Sequence, residues 1–337
     1  MKKKIKRNLQ RLMARYVKED WSKDDRIKVL IQTSEVFTAE TWMAMYEANV
    51  AEYAQRIEIK YVKERFRFLK LFDCADVVFD FYYNNESIKN CTKLKLFYLG
   101  ARCYDHIGME ELPEDIKFCR IPPCAKEIIA EHVLMVTLAI IKKFPVALKD
   151  QFRKAWNQTP LLKAGKQTLT DKVIGIAGTG IVGITIAELF KKIGCNVIGC
   201  GRRNPINNDV FSSFFHMEEL EEFLSAIDVL IIAVPLNRDT VSMFNKENLC
   251  KLGRTSYIIN ISRGKVLVEE DLVYLLENKL ISGAALDVLD REPLPSNSKL
   301  WNMENIIITP HIAGNINFFV KEIQQDFFNV IKEELLT

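Results

Sequence analysis

The sequence lacks several features that would assign the protein to a specialised class. No apolar run reaches the roughly 18 residues that a membrane-spanning helix needs. The eight cysteines form no C-x-x-C pair and show no metal-ligand spacing with the four histidines. This predicts reduced thiols in the cytoplasm rather than disulfides or a metal site. The net charge of +3 is too small to indicate nucleic-acid binding, and there are no internal repeats or low-complexity linkers.

The N-terminal segment, residues 1–25, is a basic extension without the apolar core of a signal peptide. Its apolar residues fall on one helical face, with basic residues elsewhere: Ile5, Leu9, Leu12, Met13 and Tyr16. Such a helix could contact an anionic membrane surface or a partner, or serve as a transit peptide. We expect an accessory helix that lies on its own domain.

At 337 residues the chain suits two domains, which we expect to be of the α/β class. From Val173 onward, apolar strands alternate with helices, which predicts a doubly wound parallel sheet. The strands are expected at 173–177, 196–200, 228–234, 256–260, 282–286 and 306–309, and the helices at 181–193, 217–225, 245–252 and 268–278. In the first half, strands are expected at 26–32, 76–81, 94–99 and 118–121, whereas 51–72 has no clear assignment. A helix over 124–144 is apolar almost all round and should be buried on several sides.

Three spaced glycines follow the first strand of the second half and open a helix. They are Gly178, Gly180 and Gly183, in the pattern G-x-G-x-x-G. The first permits a tight turn, the second lets a pyrophosphate approach the backbone, and the third lets the helix pack closely on the sheet. Free N–H groups at the helix N-terminus favour an anion. With apolar strands on both sides, the pattern predicts a dinucleotide site.

The end of the next strand bears on the choice between NAD and NADP. An acidic residue about 20 positions after the motif usually binds the ribose hydroxyls of NAD. Gly201 occupies that position here, and Arg202 and Arg203 follow it. A glycine leaves room for a 2′-phosphate, which two guanidinium groups can hold through charge-assisted hydrogen bonds. We expect NADP(H) to be preferred, with NAD(H) as the alternative if both arginines simply face solvent.

Charged residues near the ends of later strands predict a substrate site at the same edge of the sheet. Arg263 follows one strand, Asp287 ends the next, Glu292 lies in a proline-rich loop, and His311 follows the last strand. Singly, they could be a surface ion pair, a helix cap or a core histidine. Together, an arginine can clamp a carboxylate, a histidine can transfer a proton, and a glutamate can orient the imidazole ring.

These motifs resemble the D-isomer-specific 2-hydroxyacid dehydrogenase family over roughly residues 94–314. The resemblance implies an oxidoreductase (EC 1.1.1.-) that reduces a 2-keto acid to a D-2-hydroxy acid. It makes Arg263 the carboxylate clamp, His311 the general acid and Glu292 its partner. Asp287 is implied to contact the nicotinamide carboxamide.

The resemblance also implies wider contact sets. Residues 99–105 are similar to the family's substrate loop, so that Ala101, Arg102 and Cys103 would contact the substrate. Arg102 and Cys103 replace an apolar residue and a glycine there, and Arg102 could face a second anionic group or solvent. The implied cofactor contacts are Gly178, Thr179, Gly180, Ile181, Val182, Gly183, Arg202, Arg203, Val234, Pro235, Ile261, Arg263, Asp287, His311 and Gly314.

The implied organisation is a Rossmann cofactor domain, residues 124–314, inserted in a smaller flavodoxin-like substrate domain, residues 26–123 plus 315–337. The apolar helix, which carries the family's Ala-Glu-His at 130–132, is implied to pack in a homodimer interface. Two alternatives stay open. Phosphite oxidation on this fold is compatible with the residues, whereas Glu292 argues against a formate enzyme, in which glutamine pairs with the histidine. A nucleotide-sensing corepressor or scaffold would keep the same residues, although the short segment after Gly314 argues against a scaffold.

Overall fold

Two parallel sheets organise the chain. The computed structural model describes residues 21–82, 88, 91–101, 115–159, 168–205 and 208–336, so most of the basic extension lies outside the described residues. One unit comprises the chain up to Cys124 and from Ile316 onward, and the other comprises Ala125–Asn315. Within the described ranges, no helix is both long enough and apolar enough to cross a bilayer.

The first unit has a five-stranded parallel sheet in the order β2-β1-β3-β4-β5, the flavodoxin-like order. Its strands are β1 (Ile27–Gln32), β2 (Ile57–Val62), β3 (Val77–Asp80), β4 (Leu96–Leu99) and β5 (Lys117–Arg120). Its helices are α1 (Ala39–Asn49), α2 (Arg65–Phe72) and the C-terminal helix (Val320–Ile331). Aromatic side chains fill the core, where Trp42 meets Phe79 edge-on with ring centroids 4.7 Å apart.

The second unit has a seven-stranded parallel sheet in the order β12-β11-β10-β9-β6-β7-β8. Its strands are β6 (Val173–Ala177), β7 (Asn196–Gly201), β8 (Ser213–His216), β9 (Val229–Ile232), β10 (Tyr257–Asn260), β11 (Gly283–Leu286) and β12 (Ile306–Ile308). From β8 to β11 this is the Rossmann order, and β12 extends the sheet. Because every pairing is parallel, all carboxyl ends lie at one edge.

Helices cover both faces of this second sheet. They are α3 (Lys126–Ile141), α5 (Ile181–Lys192), α6 (Leu220–Ser225), α7 (Lys246–Leu249) and α8 (Glu269–Glu277). Helix α4 (Phe144–Phe152) contacts α3 and has no buried residue. Ile174 and Ile176 of β6 join a core with α3 and α5, whereas Leu230 and Ile232 of β9 join a core with α6, α7 and α8. Val229 and Ile231, which alternate with these residues of β9, belong to the opposite core, so the sheet is packed between two apolar layers.

The two doubly wound parallel sheets confirm the predicted fold class, but several local expectations need correction. Residues 51–72 contain β2 and α2, whose charged residues alternate with buried apolar ones. The single helix expected over 124–144 ends at Ile141, because Lys143 takes a left-handed conformation (φ 54°) and Pro145 opens α4. Strand β8 was missed, since its four residues are too few for a clear period.

Candidate active site

The three glycines after β6 differ sharply in what surrounds them. Gly178 has φ +103°, and a Cβ there would lie 2.6 Å from the Ala233 backbone. A Cβ on Gly183 would lie 1.9 Å from the Gly178 carbonyl oxygen, so the helix packs on its own loop. A Cβ on Gly180 would meet nothing within 4 Å. Gly180 is therefore the position at which a pyrophosphate could approach the backbone.

Helix α5 begins directly at this open space. Ile181 is its first residue, and Gly180 caps it without a side-chain hydrogen bond. The first N–H groups of a helix have no partner within the helix, and the helix dipole adds positive charge at that end. The loop thus fits the pyrophosphate of a nicotinamide dinucleotide, with backbone N–H groups as donors.

The end of β7 holds a contact that sequence reasoning missed. A Cβ on Gly201 would lie 2.5 Å from Thr179 Oγ1, so the missing side chain makes room for Thr179 as well as for any ligand. Arg202 and Arg203 follow as exposed residues. Arg202 Nη1 lies 3.5 Å from Asp239 Oδ2, and both side chains are more than 60% exposed. Both arginine side chains are therefore accessible to a ligand that binds at the end of β7.

His311 and Glu292 form a close pair beyond β12. His311 Nδ1 lies 2.7 Å from Glu292 Oε2, and the side chains are 47% and 38% exposed. Glu292 Oε1 accepts a hydrogen bond from the Leu289 N–H at 3.0 Å, which fixes the carboxylate. A carboxylate can only accept, so Nδ1 carries the proton of this bond. His311 Nε2 is then the ring atom that remains for exchange with a substrate.

Arg263 lies in a tight turn after β10, next to the Glu292 loop. A Cβ on Gly264 would lie 1.9 Å from the carbonyl carbon of Leu289, so only glycine permits this approach. Buried Asn260 supports the turn, because its Nδ2 donates to the Arg263 carbonyl at 3.1 Å. Arg263 Nη1 donates to the Ser262 carbonyl at 2.6 Å. Asn260 is a supporting residue that sequence reasoning missed, and its signal was a polar residue ending a buried strand.

Asp287 is 4% exposed and lies beneath the His311 loop. Its Oδ1 accepts from Thr309 Oγ1 at 2.6 Å and from the Ile312 N–H at 3.0 Å, and its Oδ2 accepts from the Ala313 N–H at 2.9 Å. His132 of α3 joins this cluster, with Nε2 3.2 Å from Thr309 Oγ1. Burial lowers the pKa of His132, while the Asp287 charge acts in the opposite direction.

The other predicted contacts lie at the same edge of the second sheet or outside the residues that the structure describes. Val234 and Pro235 follow β9, Ile261 follows β10, and Gly314 ends the His311 loop. The described part of the expected substrate loop ends at half-buried Ala101, and Arg102 and Cys103 lie outside the described residues. Among the residues that the structure describes, no group of three or more His, Cys, Asp and Glu could hold a metal ion.

The chain is similar in sequence to several known proteins. A family model for the D-isomer specific 2-hydroxyacid dehydrogenase NAD binding domain matches residues 134–313. A glyoxylate reductase from Thermofilum pendens is 31% identical over 63% of this chain, and the match spans 63% of that relative, which is less than two thirds of its length. A glyoxylate/hydroxypyruvate reductase A from Serratia proteamaculans is 31% identical, with 68% of this chain and 74% of the relative covered.

A solved structure shares the fold over most of the chain. The NADPH-dependent glyoxylate/hydroxypyruvate reductase from Sinorhizobium meliloti, in complex with NADP and sulfate, has a TM-score of 0.73 at 23% identity. The superposition covers 92% of this chain and 94% of the other. The family resemblance drawn from the sequence is therefore confirmed. The chain belongs to the D-isomer-specific 2-hydroxyacid dehydrogenase family.

Proposed function

We propose that the protein reduces a small 2-keto acid, of the glyoxylate or hydroxypyruvate class, to the D-2-hydroxy acid. The observation that carries the proposal is the His311–Glu292 pair, 2.7 Å apart. This pair lies at the same edge of the second sheet as the open space beside Gly180. A proton donor and a dinucleotide site at one edge are what carbonyl reduction requires. The names of the relatives from Thermofilum pendens and Serratia proteamaculans support the substrate class.

His311 is assigned the proton transfer. Glu292 accepts a hydrogen bond from Nδ1–H and orients the ring, so Nε2–H is the proposed donor. A reduced nicotinamide held beside the Gly178–Gly183 loop would supply a hydride to C2 of the keto acid. As the C=O bond becomes a C–O bond, His311 Nε2 gives its proton to the carbonyl oxygen and later regains one from water. The product is thus the hydroxy acid, two electrons and two hydrogens richer than the substrate.

Arg263 is assigned the substrate carboxylate. Its half-buried side chain is anchored through Nη1 to the Ser262 carbonyl, and a planar guanidinium binds a carboxylate in a defined orientation. That orientation aligns the adjacent carbonyl with His311. The backbone of residues 101–103 is a second proposed contact for the carboxylate.

NADP(H) is the preferred cofactor in this proposal. No acidic residue stands between Glu188 and Asp209 to repel a 2′-phosphate, and Arg202 and Arg203 are exposed at the end of β7. Each charge-assisted bond to a phosphate contributes about 1.5–3 kcal/mol before solvent screening. The Arg202→Ala and Arg203→Ala variants should therefore weaken NADPH binding and leave NADH binding almost unchanged.

The direct test is oxidation of NADPH and NADH, side by side, with glyoxylate, hydroxypyruvate and pyruvate. We expect turnover with NADPH above that with NADH. The His311→Ala variant should lose about 10²–10⁴-fold in kcat, because a placed general acid contributes that much. Near-normal turnover by that variant would overturn the assignment of His311.

The two alternatives give different results in the same experiment. Phosphite supplied with NADP⁺ or NAD⁺ would produce reduced cofactor if the protein were a phosphite dehydrogenase. Cofactor binding without turnover of any substrate would favour a sensing corepressor or scaffold. Retained melting temperature in His311→Ala is the control that separates lost chemistry from lost folding.

A homodimer is part of the proposal. Helices α3 and α4 and the residues after them expose large apolar side chains: Met135, Leu138, Phe144, Leu148, Phe152 and Trp156. Trp156 is 90% exposed and Phe152 is 79% exposed, which is costly for a surface that stays in water. A second copy of this chain would bury them. Light scattering should give twice the chain mass, and Phe152→Asp with Trp156→Asp should give the monomer.

A reducing, cytoplasmic location completes the proposal. The seven cysteines of the described residues are free thiols, and several are buried. Burial raises the pKa of the Cys200 thiol to about 12, so this group is an inert core residue. Free, buried thiols are typical of proteins in a reducing compartment. Imaging of the tagged protein in its source cells would test the location.

A further inference from the structure

His311 has a backbone conformation that few non-glycine residues adopt. Its φ of 54° is left-handed, and the surrounding hydrogen bonds must maintain it. Three successive N–H groups of the loop converge on Asp287. The His311 N–H donates to the Asp287 carbonyl at 2.9 Å, and the next two N–H groups donate to its two carboxylate oxygens. Asp287 thus determines the conformation of the chain that carries the proposed proton donor.

Hydrogen-bond chemistry fixes the direction of the contacts behind Asp287. The Asp287 carboxylate can only accept, so the Thr309 hydroxyl gives it its single proton across 2.6 Å. Thr309 Oγ1 is then left to accept, and its neighbour at 3.2 Å is His132 Nε2. His132 must therefore carry a proton on Nε2. The result is one chain of donors from His132 through Thr309 to Asp287.

We infer that His132 and Thr309 are positioning residues, which act through Asp287 to hold the His311 loop in its reactive conformation. The inference rests on the proposed role of His311 as proton donor. The family resemblance assigned no role to Thr309 and no chemical role to His132. His132 belongs to α3 and Thr309 to the segment after β12, so the chain of donors connects the loop to a helix that packs on the second sheet. The His132 side chain is 9% exposed, so water hardly competes for these bonds.

A matched set of threonine variants tests this role. Thr309→Val removes the hydroxyl at nearly constant volume, whereas Thr309→Ser keeps it. We expect Thr309→Val to lower kcat by about tenfold or more, because small displacements of a reacting group are costly. The Kd for NADPH should change by less than about twofold, and Thr309→Ser should recover most of the lost kcat. Equal kcat values for Thr309→Val and Thr309→Ser would overturn the inference.

Thr137→Val is the control for an isosteric threonine change in the core. Thr137 lies on α3 with His132, is fully buried, and makes no hydrogen bond through Oγ1 to any described residue. Its hydroxyl is therefore dispensable, and kcat should stay at the level of the unmodified chain. A loss of kcat in Thr137→Val as large as that in Thr309→Val would show a general packing effect, and the positioning role would be wrong.

A second measurement needs no activity and no variant. The chain has four histidines, so ¹⁵N-histidine labelling gives a simple NMR spectrum in which ring tautomers are distinguishable. At pH 7.5, His132 should be the neutral tautomer with its proton on Nε2. A neutral ring with its proton on Nδ1 would contradict the inference even if Thr309→Val did not fold. If His132 had the predicted tautomer but the protein reduced no keto acid, the proposed function would be wrong. The arrangement of His132 and Thr309 would still stand.

Discussion

Gly180 and Gly183 allow the cofactor site to be tested by adding one methyl group at either of two nearby positions. At Gly180 the new Cβ would meet nothing within 4 Å, and the backbone (φ −77°, ψ −171°) is extended and suits alanine. At Gly183 the new Cβ would lie 1.9 Å from the Gly178 carbonyl oxygen. Gly180→Ala should therefore weaken ligand binding, and Gly183→Ala should lower the stability of the fold.

The magnitudes follow from these surroundings. Gly180→Ala gains about 0.4–1 kcal/mol from the less flexible unfolded chain and loses a similar amount because alanine is a poorer helix cap than glycine, so the free energy of unfolding should hardly change. Its methyl group occupies the space of the pyrophosphate and should prevent at least one charge-assisted hydrogen bond. That loss of about 1.5–3 kcal/mol corresponds to about 10–150-fold in Kd. Gly183→Ala is an overpacked site, with an expected cost of about 1–3 kcal/mol in stability.

Calorimetric titration with NADPH and thermal unfolding without ligand measure the two effects separately. Gly180→Ala should bind NADPH weakly at an unchanged Tm. Gly183→Ala should lower Tm by about 2–12 °C, as expected for a unit of this size. If Gly180→Ala bound NADPH as the unmodified chain does, the pyrophosphate would not lie beside Gly180, and the cofactor site would have to be elsewhere.

Two further predictions concern charge. Asp239→Asn should release Arg202 from a surface ion pair that contributes at most about 1 kcal/mol. NADPH should then bind up to about fivefold tighter, and NADH binding should stay unchanged. Weaker NADPH binding in titration would contradict this prediction. Burial lowers the pKa of His132, so the unfolded chain takes up its proton first, at about pH 6.5. The His132 contribution to stability is therefore complete above that pH and is lost as pH falls towards the folded-state pKa. In His132→Gln, the free energy of unfolding measured with urea should change less steeply with pH in that window. An unchanged pH dependence would exclude the effect.

The parts of the site that the sequence could predict are those set by short chain segments. Gly178 to Gly183 is one turn between a strand and a helix, so residue type and spacing define its geometry almost completely. Arg263 and His311 follow buried strands of one parallel sheet, so strand order alone brings them to the same edge. These are local or topological constraints, which periodicity and motif spacing describe directly.

The parts that the sequence could not predict depend on contacts between distant segments. His132 and Thr309 are 177 positions apart, and their contact requires the packing of α3 beside β12. The sequence around Gly264 did not predict its close approach to the Leu289 backbone. Residues 51–72 were unassigned because α2 is short and rich in arginine, and tertiary packing of Phe68 and Phe72 decides its structure.

Cofactor preference combines both kinds of information at Gly201. The sequence suggests only that glycine leaves space for a 2′-phosphate. In the structure, a Cβ on Gly201 would lie 2.5 Å from Thr179 Oγ1, and one on Gly199 would lie 3.0 Å from Thr179 Cγ2. Thr179 is thus confined between two glycines, so it cannot simply turn away from a larger residue at 201.

An acidic residue at 201 should therefore favour NADH only after Thr179 is made smaller. Gly201→Asp alone should displace the loop that carries Thr179 and weaken both cofactors. Gly201→Asp with Thr179→Ala removes the clash and leaves a carboxylate that repels a 2′-phosphate and can accept from ribose hydroxyls, so the double variant should prefer NADH. Kd values for both cofactors across the two single variants and the double variant measure the coupling. Strictly additive effects would contradict the confinement of Thr179, because residues in contact are expected to couple by about 0.5–3 kcal/mol.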